Sequence, residues 1–177
     1  MERTLLQHDF FERRTLTVAR ELLGKHLVGT LGPVEVALPV TDVEAYDGPK
    51  DKACHAHRGK TPRNAVMFGP PGYWYVYLCY GVHWLLNVVT GPEDFPAAVL
   101  IRGAGEISGP GRLTRHYGIT RAQNRRPSAP ATGLWIEDRG LRVRPRQVQR
   151  TPRIGIDSAG PVWSAKHYRF VWAPAKK

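Results

Sequence analysis

The run YWYVYLCYGVHWLLNVV, residues 73–89, constrains the fold more than any other segment. Its side chains alternate: Tyr73, Tyr75 and Tyr77 share one strand face, and Trp74, Val76 and Leu78 the other. Aromatic and branched residues suit strands, and a Tyr80-Gly81 pair at the centre suits a reversal, so the run predicts a β-hairpin. Its 17 residues are interrupted by Gly81, His83 and Asn87, which falls short of a membrane span.

The rest of the chain has the same texture. KHLVGTL from Lys25, VEVALPVTDVEAY from Val34 and AAVLIRGA from Ala97 read as strands. TLTVARELL, from Thr15 to Leu23, places Leu16, Ala19, Leu22 and Leu23 at helical spacing, and Gly24 stops it. GPGRLTRHY, from Gly109 to Tyr117, reads as a turn feeding a short helix. Residues 47–72 are rich in loop signals, and residues 121–132 read as an exposed basic loop. Strands dominate without a βαβ rhythm. The expected class is α+β: one compact domain spanning residues 1–177, with a curved, mainly antiparallel sheet, flanking helices and a protruding hairpin.

Charge narrows the function. The net charge is +11, and residues 95–177 hold 16 Lys/Arg against 4 Asp/Glu, whereas residues 1–94 hold 10 against 11. A clustered Arg excess points to a polyanion, nucleic acid first. Cys54 and Cys79 form neither a metal pattern nor a disulfide framework, which suits a reducing compartment. The N-terminal MERTLLQHDFFERR carries charges where a signal peptide needs an apolar block. The expected location is cytoplasmic, or nucleoid-associated in a prokaryote, with no membrane contact.

Against this basic background, Glu44 stands inside the apolar strand VEAY. Alternation puts it on one face with Asp42 and Tyr46, opposite Val43 and Ala45. Such a face is either solvated or the wall of a pocket; burial would raise the Glu pKa and make it a better general base. Arg102 lies in the apolar strand AAVLIRGA, and if buried it requires a carboxylate, for which Glu44 is the natural candidate. CHAH, residues 54–57, lacks the further ligands a metal needs, and no CxxC or HExxH is present, so no metal or cofactor is expected. Tyr80, a large aromatic at a hairpin tip, suits a wedge inserted between DNA bases. Gly109-Pro110-Gly111-Arg112 suits a phosphate contact, and it is also an ordinary turn.

In order along the chain, DFFERRTLTVARELLGKHLV, VEAYDGP, His55, TPRN (Thr61 to Asn64), PGYWYVYLCYG, Asn87, VLIR, SGPGRL, RIGI (Arg153 to Ile156) and YRFVW resemble the alkyladenine (3-methyladenine) DNA glycosylases of the mixed α/β type. The resemblance covers most of the chain. It implies a base-excision repair enzyme that flips a damaged purine out of duplex DNA and hydrolyses its N-glycosidic bond. By position, Glu44 would activate the water and Arg102 would hold Glu44. Tyr46, His55, Tyr77, Asn87, Leu100 and the Ile154 backbone would line the base pocket. Tyr80 would fill the gap in the duplex, and Arg63, Gly109, Gly111 and Arg112 would meet the DNA backbone. The sequence departs at Val82, just past the wedge, where one relative has a larger Met, and at Arg112, which replaces a Lys.

No lysine matches a family nucleophile, so a monofunctional hydrolase that leaves an intact abasic site is implied. Nothing in the sequence points to an oligomer, and a monomer is expected. Two rivals fit the same basic half. One is a non-catalytic nucleic-acid-binding module, and the other a structural protein docked on ribosomal RNA.

Overall fold

The computed structural model describes residues 3–173. Its frame is an open antiparallel sheet of ten strands with four helices. In chain order these are β1 (Thr4–Leu5), α1 (His8–Phe11), α2 (Thr15–Leu22), β2 (His26–Leu31), β3 (Val34–Asp47), β4 (Trp74–Cys79), β5 (His83–Val89), β6 (Ala97–Ala104), β7 (Ile107–Ser108), α3 (Pro110–His116), β8 (Leu134–Asp138), β9 (Val148–Thr151), α4 (Pro161–Ser164) and β10 (Arg169–Trp172). The main path runs β1-β8-β2-β3-β6-β5-β4, while β10 joins β3 to β9. The α+β expectation holds. Among the described residues no helix is long and apolar enough to cross a membrane.

β3 is the spine. Its 14 residues pair first with β2, then with β6 on one side and β10 on the other. Alternation divides its faces. Val40, Val43 and Ala45 enter the main core with Val99 and Ile101 of β6, Leu86 and Val88 of β5, and Trp74 and Val76 of β4. Val18, Ala19 and Leu22 of α2, at helical spacing, close that core from one side, and Leu113 of α3 contributes to it as well. Each fully buried Leu or Val contributes about 1.5–3 kcal/mol relative to exposure, so this cluster holds the sheet. Asp42, Glu44 and Tyr46 point the other way.

The pairing of β3 with β6 is irregular where it matters. Val40 faces Ala104, Asp42 faces Gly103 and Val43 faces Ile101, so Thr41 on one strand and Arg102 on the other are each an extra residue. Bulges of this kind re-aim side chains. Here the extra residue is the one cation of an otherwise apolar strand.

The hairpin is as expected, with Cys79 opposite His83. The Val82 N–H donates to the Cys79 carbonyl at 3.1 Å, and Tyr80 and Gly81 both have positive φ, 50° and 67°. Glycine takes that conformation freely, whereas tyrosine does so at a cost.

One expectation fails. Residues 121–132 are not simply a solvated loop. The segment borders the outer edge of β4: Trp74 N–H donates to Arg126 O at 2.8 Å, Arg125 N–H to Trp74 O at 2.9 Å, and Val76 N–H to Asn124 Oδ1 at 2.9 Å. An exposed strand edge needs such a cover, and polarity of sequence gave no sign of it.

Candidate active site

Glu44 is fully buried, with 0% exposure. β6 and β10 flank it, with Leu100 and Arg169 as its register partners. Its carboxylate is held from three directions. The Tyr46 hydroxyl donates to Oε2 at 2.8 Å, the Ile154 N–H donates to Oε1 at 2.8 Å, and Arg102 Nη1 lies 3.4 Å from Oε1. Burial pushes the Glu44 pKa above the ordinary carboxylate value; Arg102 and the two hydrogen bonds offset this only in part. Burial, and then the neighbouring Glu44, push the Tyr46 phenol well up, so it stays a donor.

Arg102 stands beside a second carboxylate. Its Nε is 3.7 Å from Asp42 Oδ2. Asp42 in turn is gripped by Arg169 through two hydrogen bonds of 3.0 and 2.8 Å. The sequence suggested Glu44 as the partner of Arg102 and did not suggest Asp42.

The Ile154 amide is aimed by the residue before it. The Arg153 side chain is fully buried and donates to both oxygens of Asp51, at 2.6 and 2.9 Å, and to Ala45 O at 2.8 Å. Its guanidinium lies 4.7 Å from the centre of the Tyr46 ring. Asp51 also accepts the N–H groups of Asp47 and Ala53 at 3.0 and 3.1 Å. Thus one buried ion pair ties the loop after β3 to the segment before α4, and fixes a donor on Glu44. Neither Asp51 nor Arg153 was singled out from sequence. A charge in a polar loop reads as solvated; only their separation of 102 residues, closed by the fold, makes them a pair.

Glu44 lies in an open cleft of about 1460 Å3. Tyr46, His55, Tyr77, Leu100, Arg102 and Ile154 line it as well. His55 opens to the cleft, while its Nδ1 pairs with the Tyr75 hydroxyl at 2.8 Å and its ring meets Tyr77 edge-on, with centroids 4.5 Å apart. Asn64 fixes the loop behind it, donating to His55 O and Gly59 O at 3.1 and 3.0 Å. The surrounding protein, and then Arg63, lower the His55 pKa, so the ring is neutral at neutral pH. Burial pushes the Tyr75 hydroxyl up to about 12 and Tyr77 higher still. The wall is therefore uncharged and aromatic.

One placement differs from the simple expectation, that of the Ile154 amide. Asn87 is 3% exposed and borders a small cavity together with Tyr46, His55 and Tyr77, three residues that also line the cleft. Its Nδ2 donates to Tyr75 O at 3.0 Å, an intra-sheet bond that locks its orientation. The Ile154 N–H is directed at Glu44 rather than at the cleft, while its side chain is 49% exposed.

At the cleft mouth stand the hairpin tip and the turn before α3. Tyr80 is 90% exposed, and Val82 beside it is exposed too. Gly109, at φ 106°, Gly111 and Arg112 line the same cleft, as does Arg63. Gly111, in the first turn of α3, packs so closely on His83 of β5 that a Cβ there would lie 2.9 Å from the ring, so a side chain at this position would force His83 to shift. Among the described residues Lys52 is the one lysine lining the cleft, and it is exposed. Among the described residues no three His, Cys, Asp or Glu side chains group as metal ligands would.

The family model for methylpurine-DNA glycosylase (MPG) matches residues 9–107 and 104–176. The chain belongs to the methylpurine-DNA glycosylase family. Related proteins carry the name "Putative 3-methyladenine DNA glycosylase". One from Anaeromyxobacter dehalogenans (strain 2CP-C) is 47% identical over 173 residues, covering 93% of this chain and 82% of the relative. One from Methanocella arvoryzae is 45% identical over 176 residues, covering 88% and 86%. One from Sodalis glossinidius is 42% identical over 177 residues, covering 96% and 98%. As a member of this family the chain is a DNA glycosylase, a hydrolase that acts on DNA. The resemblance read from the ordered motifs is thereby sustained. In this glycosylase the cleft joins the matched segments: Glu44 and Arg102 come from the first, Ile154 from the second.

Proposed function

We propose that the protein excises alkylated purines from duplex DNA by base flipping and Glu44-activated hydrolysis, leaving an abasic site. The observation that carries this reading is the state of Glu44. A fully buried carboxylate with a raised pKa, oriented by three donors at a cleft floor, is built as a general base. Glycosidic cleavage passes through an oxocarbenium-like sugar. A carboxylate beside C1′ stabilises the developing positive charge and takes a proton from the attacking water.

Among the described residues no carboxyl other than Glu44 lines the cleft, since Asp42 is engaged with Arg169 outside it. A general acid for the leaving group is therefore lacking among side-chain carboxyls. Cationic bases such as 3-methyladenine and 7-methylguanine depart as neutral molecules and need none. Neutral lesions such as hypoxanthine or ethenoadenine need a proton from elsewhere and should be released more slowly. The flipped purine would stack between Tyr46 and Tyr77, with His55 at its edge. Tyr80 would take its place in the duplex. Asn87, which borders a small cavity with Tyr46, His55 and Tyr77, would limit the space available to a purine 2-amino group.

The deciding experiment uses duplexes with a single ethenoadenine or hypoxanthine, and a duplex methylated to give 3-methyladenine. Free base is followed by chromatography with wild type and Glu44→Gln. Release by wild type and not by the variant is expected. Equal release by both overturns the role of Glu44. Retained binding with no release by wild type turns the reading to a non-catalytic binder. Borohydride should trap no adduct; an adduct would assign a lysine nucleophile, with Lys52 first in line.

A further inference from the structure

Arg102 stands between two carboxylates and is tightly bonded to neither. Its Nη1 lies 3.4 Å from Glu44 Oε1 and its Nε 3.7 Å from Asp42 Oδ2, whereas charged N–H···O bonds of this kind run at about 2.7–2.9 Å. The Nε is buried, and among the described residues it has no hydrogen-bond partner. A buried donor left unpaired is costly, so something keeps it from closing on Asp42.

Arg169 is what occupies Asp42. From β10, across the backbone of β3, it donates to both Asp42 oxygens, at 3.0 and 2.8 Å. Such a two-pronged pair is the stronger claim on the carboxylate. The three strands are packed closely here: Asp42 faces Gly103, where a Cβ would lie only 3.3 Å from Asp42 Cβ. Glu44 and Arg102 line the cleft, and Asp42 and Arg169 do not. Without Arg169, the Asp42 oxygens would be free to take the unpaired Nε already beside them, drawing the guanidinium away from Glu44.

We propose that Asp42 and Arg169 are positioning residues for the hydrolysis: Arg169 engages Asp42, and Asp42 so engaged leaves the Arg102 guanidinium to Glu44. This rests on the glycosylase mechanism proposed above. Asp42 and Tyr46 face Glu44 from β3 itself, Tyr77 from β4, Arg102 from β6, Arg169 from β10 and Arg153 from the segment before α4. Burial raises the Glu44 pKa most, Arg102 is the largest opposing influence, and Asp42 adds to the rise. Moving Arg102 between the two carboxylates therefore changes Glu44 in a known direction.

The test follows the Glu44 carboxyl directly, by carbon-13 NMR of protein labelled at the glutamate side-chain carboxyls, with Glu44→Gln identifying the signal. Single-turnover base release is measured over the same pH range. Arg169→Gln frees Asp42, so the titration and the acid limb of release should both move up. An opposite charge beside a carboxyl is worth about 1–3 pH units, and partial withdrawal of Arg102 should show as about 1. Asp42→Asn removes the competitor and should move both down. In an Arg102→Gln background both shifts should shrink, because the cation through which they act is gone. Arg169→Lys keeps the charge and can make one of the two hydrogen bonds, so it should fall between wild type and Arg169→Gln. If Arg169→Gln does not fold, the smaller upward shift of Arg169→Lys carries the test. Shifts of the same sign for Arg169→Gln and Asp42→Asn would overturn the proposal. So would shifts undiminished in the Arg102→Gln background, which would assign the pair a direct action on Glu44. Lowered stability with unmoved titrations would also overturn it, leaving the pair a purely structural role. Titrations that move as expected in a protein whose wild type releases no base would count instead against the glycosylase mechanism.

Discussion

The Ile154 amide donates a 2.8 Å hydrogen bond to Glu44 across 110 residues of sequence, and the ion pair that aims it, Arg153 with Asp51, is buried completely. The Glu44 carboxylate is therefore oriented by a peptide group whose position depends on a distant carboxylate. That dependence makes the site testable away from Glu44 itself.

Asp51→Asn should leave a buried guanidinium without its counter-charge. Breaking such a pair costs about 3–5 kcal/mol, so a large fall in thermal stability is expected by calorimetry. At temperatures where the variant is still folded, base release should also fall, because Ile154 is no longer pinned to Glu44. A variant that melts like wild type would show that Asp51 does not carry this load.

Arg102 lowers the Glu44 pKa, second to burial, which raises it. Only the ionised carboxylate accepts a proton from water, so single-turnover base release should rise with pH through the Glu44 pKa. Arg102→Gln removes the lowering influence, and the acid limb should move to higher pH. Arg102→Lys should restore part of the shift. An acid limb at the same pH in all three proteins would dissociate Arg102 from the base.

Glu44 should also weaken the fold. Its folded pKa lies above its unfolded value, so the folded state holds the proton more tightly. Stability is then full below the unfolded pKa and declines as pH rises through the folded one. Glu44→Gln, fixed in the neutral form, should melt higher than wild type at pH 7, with the advantage gone below about pH 4, where both side chains are neutral. At pH 7 the same substitution should lower base release by about 100- to 10,000-fold, the usual range for a general base. Equal melting temperatures at pH 7 would contradict the raised pKa.

Tyr80 combines 90% exposure with a φ of 50°. Tyr80→Gly removes an uncovered ring and relieves the backbone, so the melting temperature should not fall. Excision from a paired duplex should drop, while a lesion placed in an unpaired bulge should be released nearly as before. An equal drop on both substrates would remove the wedge role.

Much of this site was legible in the sequence, because strand alternation is a strong local signal. It put Asp42, Glu44 and Tyr46 on one face, and a lone Arg102 among apolar residues demanded a carboxylate. What alternation does not convey is depth and distance. It left open whether the Glu44 face was solvated; β10 and the 153–154 segment, both far along the chain, decide that. It gave no hint that Asp42 and Arg169 pair across 127 positions. The bulge that aims Arg102 is a mismatch between two strands, so neither strand alone reveals it. The 121–126 segment misled because its backbone bonds β4 while its arginines make it look solvated.

The bond between Ile154 and Glu44 also orders events during synthesis. A chain that has left the ribosome only through β6 already holds Glu44, Arg102 and the Tyr80 hairpin. It has neither the amide that aims the carboxylate nor Arg169, which engages the neighbouring Asp42. On the proposed mechanism, the parts that would grip DNA emerge before the part that would arm the hydrolysis, so an unfinished copy would lack an oriented Glu44.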